Sequence, residues 1–132
     1  MLRLISAVIA GVAAWIVVVS LLNLGLRHGW PDYAAVEGVM EFTLPMMAAR
    51  LAMSAISSLA SGFVAAWIGK GGPAALISGI CLLLLFAPQH YVLWDRFPVW
   101  YHLTFLASLP LLAWVGGGLW KKNHIGTKRL IS

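Results

Sequence analysis

Four side chains able to do polar chemistry, Asn23, Arg50, His90 and His102, are set one each into four otherwise apolar runs of a 132-residue chain. Counted inward from the polar end of each run, at about 1.5 Å per helical residue, all four lie at a depth of roughly 4–8 Å. Four helices packed side by side would therefore carry them in a single layer. Gln89 and Thr104 are close enough in register to join it, and Glu37, Glu41 and Asp95, in the connecting segments, can cover it from above.

The chemistry open to that layer is narrow. Arg50 offers a planar guanidinium suited to a carboxylate or phosphate, and an ionisable group inside a membrane segment marks a site by default. A structural role satisfies the same position. An arginine near a helix end can reach the headgroups along its own stem, or can form a fixed ion pair with Glu41 or Asp95. His90 and His102 flank a short turn almost symmetrically, so adjacent helices can bring their rings together as metal ligands or as axial ligands of haem. The default reading of the pair is a polar interface in which each histidine is hydrogen-bonded to its neighbours. His28 and His124 fall in loop positions.

The elements that must position these residues are membrane helices. A span needs about 20 apolar residues, and the runs at about 4–26, 45–69, 73–94 and 98–120 all meet that length. The chain is 61% hydrophobic and 10% charged, far from the roughly 25% charged of soluble domains. The first run follows Arg3 as a secretory signal would, but it exceeds the about 7–15 apolar residues of such signals and reads as a retained helix. Trp15, near its midpoint, fills space between helices. Between the first two runs, Pro31 and Asp32 start a short helix that places Glu37 and Glu41 one turn apart, as expected of a segment lying on the membrane surface. Thr43 is placed to cap the next helix, with Pro45 in its first turn. Pro88 and Pro110 fall inside the third and fourth runs, where proline favours a kink.

The second run organises the rest. Ser54, Ser58, Gly62 and Ala66 recur every fourth residue, and Ser57, Ser61, Ala65 and Gly69 form a parallel stripe. Such small-residue stripes let helix backbones approach closely in lipid. They suit a helix at the centre of a bundle, and they also offer a face for a second copy or a larger membrane complex.

Charge and motif content close other routes. The formal charge of +5 is divided among loops, with no basic helix or aromatic platform for nucleic acid. With the N-terminus inside, Arg3, Lys70, Lys121, Lys122, Lys128 and Arg129 fall on the inner side, against Arg27, Arg96 and the partly inserted Arg50. This bias predicts an N-in, C-in topology, with 121–132 as a basic cytoplasmic tail. Cys81 is the single cysteine and excludes an internal disulfide, a CxxC pair and a cysteine-only metal site. No acidic residue lies within a span, which argues against a proton-coupled four-helix multidrug transporter. HExxH, GxSxG and glycine-rich phosphate loops are absent, so any catalysis would draw on the polar layer.

PMMAARL opening the second helix, SGFVAAWIGK closing it, and PVWYHLTFLASLPLLAWVGGGLW forming the fourth resemble the small four-helix inner-membrane proteins of proteobacteria, a family without an assigned role. The resemblance implies a multi-pass location in the bacterial inner membrane and no activity.

The expectation is a single all-α domain of four transmembrane helices. Its first functional reading is a non-enzymatic accessory or assembly subunit, packing through Ser54, Ser58, Gly62 and Ala66 as a homo-oligomer or within a larger complex, in contact with membrane lipids and needing no cofactor. The alternatives are a carrier or sensor of an anionic lipid or small solute, using Arg50 and the polar layer, and a haem- or metal-binding redox protein using His90 and His102.

Overall fold

A computed structural model describes the backbone of residues 2–37, 42–70 and 73–131 and the side chains of those up to 122. It contains α1 (Leu2–Gly29), α2 (Pro31–Glu37), α3 (Leu44–Gly69), α4 (Ala74–Val92), a 3-10 turn (Trp94–Arg96) and α5 (Val99–Ile131). Helices α1, α3, α4 and the Val99–Lys122 part of α5 are long and apolar enough to cross a membrane. The all-α, four-span architecture is as expected. Two boundaries differ. The fourth helix continues through the segment expected as a separate tail, because no proline follows Pro110 to break it. The third ends at Val92, where the chain tightens into the 3-10 turn.

Thr43 occupies the N-cap of α3 in extended geometry, with proline in the first turn, but its side chain makes no capping hydrogen bond. The helix ends on Lys70 in the left-handed conformation (φ 53°, ψ 47°), whose N–H bonds to the carbonyl of Ala66. This closes an otherwise open carbonyl at the cost of placing a Cβ where glycine is usual.

Helix α3 lies at the centre, packed against α1, α4 and α5. It runs antiparallel to α1, as Gly69 lies beside Ala7 and Gly11 beside Ala65. It runs parallel to α5, with Leu59 beside Gly116 and Arg50 reaching Tyr101. Both small-residue stripes are used inside the chain. Ser54, Ser57, Ser58, Ser61, Gly62, Ala65 and Ala66 are all buried, while Ile56 and Trp67 face outward. The close packing that the stripes call for is thus met within one molecule.

Packing differs between the two ends of the bundle. Toward the α3–α4 turn the backbones touch. A Cβ on Gly62 would overlap the carbonyl of Ala113, one on Gly116 would overlap that of Leu59, and one on Gly79 would lie 2.5 Å from Pro110 Cα. Toward the α2 end, bulky rings hold the helices apart. Trp15 packs on Phe86 with centroids 4.7 Å apart and meets Phe105 edge-on at 6.4 Å, and Leu82 and Leu109 complete this cluster.

Gly62→Ala and Gly116→Ala are each expected to destabilise the bundle by about 1–3 kcal/mol, the usual cost of overpacking. Gly118, with nothing within 4 Å of an added Cβ, should tolerate alanine with no loss, since alanine also favours the helix. Thermal unfolding in one detergent compares all three.

Candidate functional site: a polar cavity at the α2 end

Arg50 sits in the second turn of α3, half-buried, and is held by neutral groups. Its Nη1–H donates to the Tyr33 hydroxyl at 2.9 Å and its Nε–H to the Tyr101 hydroxyl at 3.2 Å. The guanidinium carbon lies 4.6 Å above the centre of the Phe42 ring, a cation–π contact that strengthens when water is excluded. Tyr33 O–H in turn donates to Asn23 Oδ1 at 2.7 Å, and Asn23 Nδ2 donates to Glu37 Oε1 at 2.9 Å. Glu37 is gripped by Arg27 through Nε at 2.8 Å and Nη2 at 2.7 Å. One hydrogen-bonded chain therefore runs from α3 inside the bundle to α2.

The structure brings Asn23, Glu37 and Arg50 together as the depth argument expects, with different pairing. The carboxylate of Glu37 goes to Arg27, the nearer cation in sequence. Asp95 is exposed on the 3-10 turn, and among the described residues no carboxylate forms an ion pair with Arg50. Glu41 lies outside the described residues. Thr104 is exposed on α5 and does not join the layer.

His90 and His102 do meet. Both are buried, and their Nδ1 atoms are 2.7 Å apart with rings nearly perpendicular at 84°. His102 Nε2 lies 3.1 Å from the Trp94 carbonyl oxygen, and its ring stacks on the Trp94 indole at 4.7 Å. Two nitrogens bound to one tetrahedral metal at about 2.0–2.1 Å would stand about 3.3 Å apart. The shorter separation here is that of a hydrogen bond. Among the described residues, no three His, Cys, Asp or Glu side chains are grouped as metal ligands.

These groups line a cavity of about 410 Å³. Asn23, Glu37, Arg50, Gln89 and His90 form its polar wall, the Glu37 carboxylate being already paired with Arg27, and Trp15, Phe86 and Phe105 form its aromatic floor. Ser20 of α1 and Gln89 of α4 line it and are also exposed, so it opens between those two helices. Ser57 and Ser58 spend their hydroxyls on the carbonyls of Met53 and Ser54, at 2.7 and 2.8 Å, and Trp15 Nε1–H donates to Ser58 Oγ at 3.1 Å. Ser54 is different. It is 1% exposed, it lines the cavity, and its Oγ has no hydrogen-bond partner among the described residues. A buried hydroxyl left unsatisfied costs about 1–3 kcal/mol, so it is a ready contact for whatever fills the space. A second cavity, about 540 Å³ near the other end, is lined mainly by small and apolar residues such as Ala66, Ala75 and Gly117, with Lys121 as its charged group.

Tyr33, Phe42, Trp94, Tyr101 and the orphan hydroxyl of Ser54 are absent from the sequence-derived layer. Aromatic residues crowd both membrane interfaces, so the two phenols that hold Arg50 carry no mark distinguishing them from Trp30 or Trp100.

The fold and cavity define the class: a small four-helix, multi-pass membrane protein with a polar cavity near one end of the bundle. No family model matches the chain, nor does any curated protein or solved structure, so the class rests on the helices and the cavity alone.

The Arg27 hydrogen bonds hold the Glu37 carboxyl below its ordinary value of 4.5, with Asn23 and the charges of Arg27 and Arg50 acting in the same direction against desolvation. A carboxyl lowered by folding anchors α2 at neutral pH and releases it as pH falls through its folded-state value, below that of the free group. A nitroxide at Ala35, in a Cys81→Ser background, should report an ordered α2 at neutral pH and a mobile one only under more acidic conditions. In Glu37→Gln the same label should be mobile throughout.

Proposed function

We propose that the protein binds a small amphiphile with an anionic head, acting in the membrane as a carrier or sensor, with Arg50 as the head-group ligand. The observation that carries this reading is a guanidinium that opens on a cavity while its hydrogen bonds go to two phenols. Among the described residues the hydrogen bonds of the guanidinium go to neutral acceptors, and the Glu37 carboxylate, paired with Arg27, acts on it only through space. The aromatic floor below suits an acyl or ring portion, and the unsatisfied Ser54 hydroxyl adds a further polar contact. Membrane lipids are the nearest supply, since the opening between α1 and α4 is flanked by exposed aliphatic residues such as Val17, Leu21, Leu84 and Leu85.

The distribution of basic residues favours an orientation with the α2 end on the outer face of a bacterial inner membrane. The accessory-subunit reading loses its main support because the small-residue stripes of α3 are consumed inside the chain. The redox reading loses its own because the two histidines bond to each other.

Native mass spectrometry of gently extracted protein tests the proposal. The wild type should retain an anionic amphiphile. Arg50→Gln, which keeps a donor but removes the charge, should weaken retention about tenfold or more, as expected for a charge-assisted hydrogen bond. Equal retention by Arg50→Gln, or a wild type that holds only neutral lipid, overturns it.

A further inference from the structure

The hydrogen bonding of the two histidines fixes where their protons are. The Trp94 carbonyl can only accept, so His102 Nε2, 3.1 Å away, carries hydrogen. In the neutral pair His102 Nδ1 is then a bare lone pair, and the 2.7 Å contact requires His90 Nδ1–H to donate to it. What remains is His90 Nε2, unprotonated and an acceptor. Nothing among the described residues donates to it.

His90 lines the cavity and His102 does not. The Nδ1 edge of His90 turns toward His102, so the edge offered to the cavity is the one bearing Nε2. The ring is held there by Phe105, with centroids 4.6 Å apart, and by Tyr101 at 6.2 Å. Tyr101 is also the residue whose hydroxyl accepts from Arg50. A fixed acceptor and a fixed cationic donor thus flank one phenol at the polar end of the same space. Because one side of the histidine pair is closed by a carbonyl and its middle by a shared proton, a proton enters or leaves the pair only at His90 Nε2.

We infer that the head group taken by this cavity carries an anionic oxygen for Arg50 together with an O–H that donates to His90 Nε2, as a singly ionised phosphate monoester does. His90 is the specificity-determining residue, and His102 and the Trp94 carbonyl are positioning groups that set its tautomer. This rests on the proposed anion-binding role of Arg50 and narrows it: a head without a hydrogen to donate leaves Nε2 unsatisfied, and sites built to bond a hydroxyl discriminate strongly against analogues that lack it.

Dodecyl phosphate and its methyl ester share a chain and carry one negative charge each at about pH 5, below the second phosphate ionisation near 6. Only the first retains a P–OH. Titrated into the intact wild-type protein and followed by native mass spectrometry, dodecyl phosphate should bind about tenfold or more tighter than the ester. In His90→Phe the preference should vanish while binding of the ester is retained. Equal affinities in the wild type, or a preference that survives in His90→Phe, overturn the inference and leave the Arg50 reading standing. Failure of both amphiphiles to bind the wild type overturns both. Nitrogen-15 NMR of the histidine rings is a second measurement that needs no variant. At the pH of the titration, Nε2 of His90 should be unprotonated in the free protein and hydrogen-bonded with dodecyl phosphate present, and a protonated Nε2 in the free protein at that pH overturns the assignment.

Discussion

The α2 end of the molecule is arranged around one constraint, a guanidinium placed within an apolar helical bundle. A charge removed from water carries a penalty of several kcal/mol unless its hydrogens find acceptors. Here the acceptors are phenols from two directions, Tyr33 from α2 and Tyr101 from α5, with the face of Phe42 above. Meeting that demand fixes much else. Tyr33 must be fully buried, so α2 folds back over the bundle, and its own hydroxyl proton must go to Asn23. Asn23 then turns its amide to Glu37, which Arg27 holds in place. Each donor in the series points to the next acceptor, and none can rotate without leaving a neighbour unmatched.

The sequence of α3 divides the bundle into two regimes. Its later half, Ser57 to Gly69, is nearly free of bulk on two faces, and there the glycines of α1, α4 and α5 come into backbone contact with it or with one another. Its earlier half carries Met46, Met47, Arg50 and Met53, and opposite these stand the rings of Trp15, Phe86, Phe97, Tyr101 and Phe105. Methionine and aromatic side chains cannot interdigitate as closely as alanine and serine. The cavity is the space that their shapes leave, and it lies where the polar atoms are.

The fold was legible in the sequence because membrane helices announce themselves through long apolar runs, and the turn near Lys70 through its glycines and Pro73. The central place of α3 followed from its two small stripes. For the site, depth along each run was enough to assemble Asn23, Arg50, His90 and His102 at one end. Pairing was not legible. Depth gives no azimuth, so whether Arg50 meets Asp95 or Tyr101, and whether two histidines face each other or a third group, depends on helix rotation. The path by which Tyr33 reaches Arg50 depends on α2 folding back, and Pro31-Asp32 predicts a helix there without predicting its direction. The α5 extension past Trp120 escaped notice because charge there reads as a boundary, whereas the helix only requires the absence of proline.

The glycine contacts at the narrow end also have a mechanical meaning. Where backbones touch at Gly62, Gly79 and Gly116, the helices have no room to slide, and motion there is limited to small rotations about the points of contact. Over the roughly 18 Å of α3 between Gly62 and Arg50, at about 1.5 Å per residue, a tilt of about 5° displaces the Arg50 end by roughly 1.5 Å. The glycine contacts are thus the natural pivot for the three helices they join, α3, α4 and α5. The distance from those contacts to the aromatic end acts as a lever arm, so that a small rotation at the glycines becomes a larger displacement at the cavity.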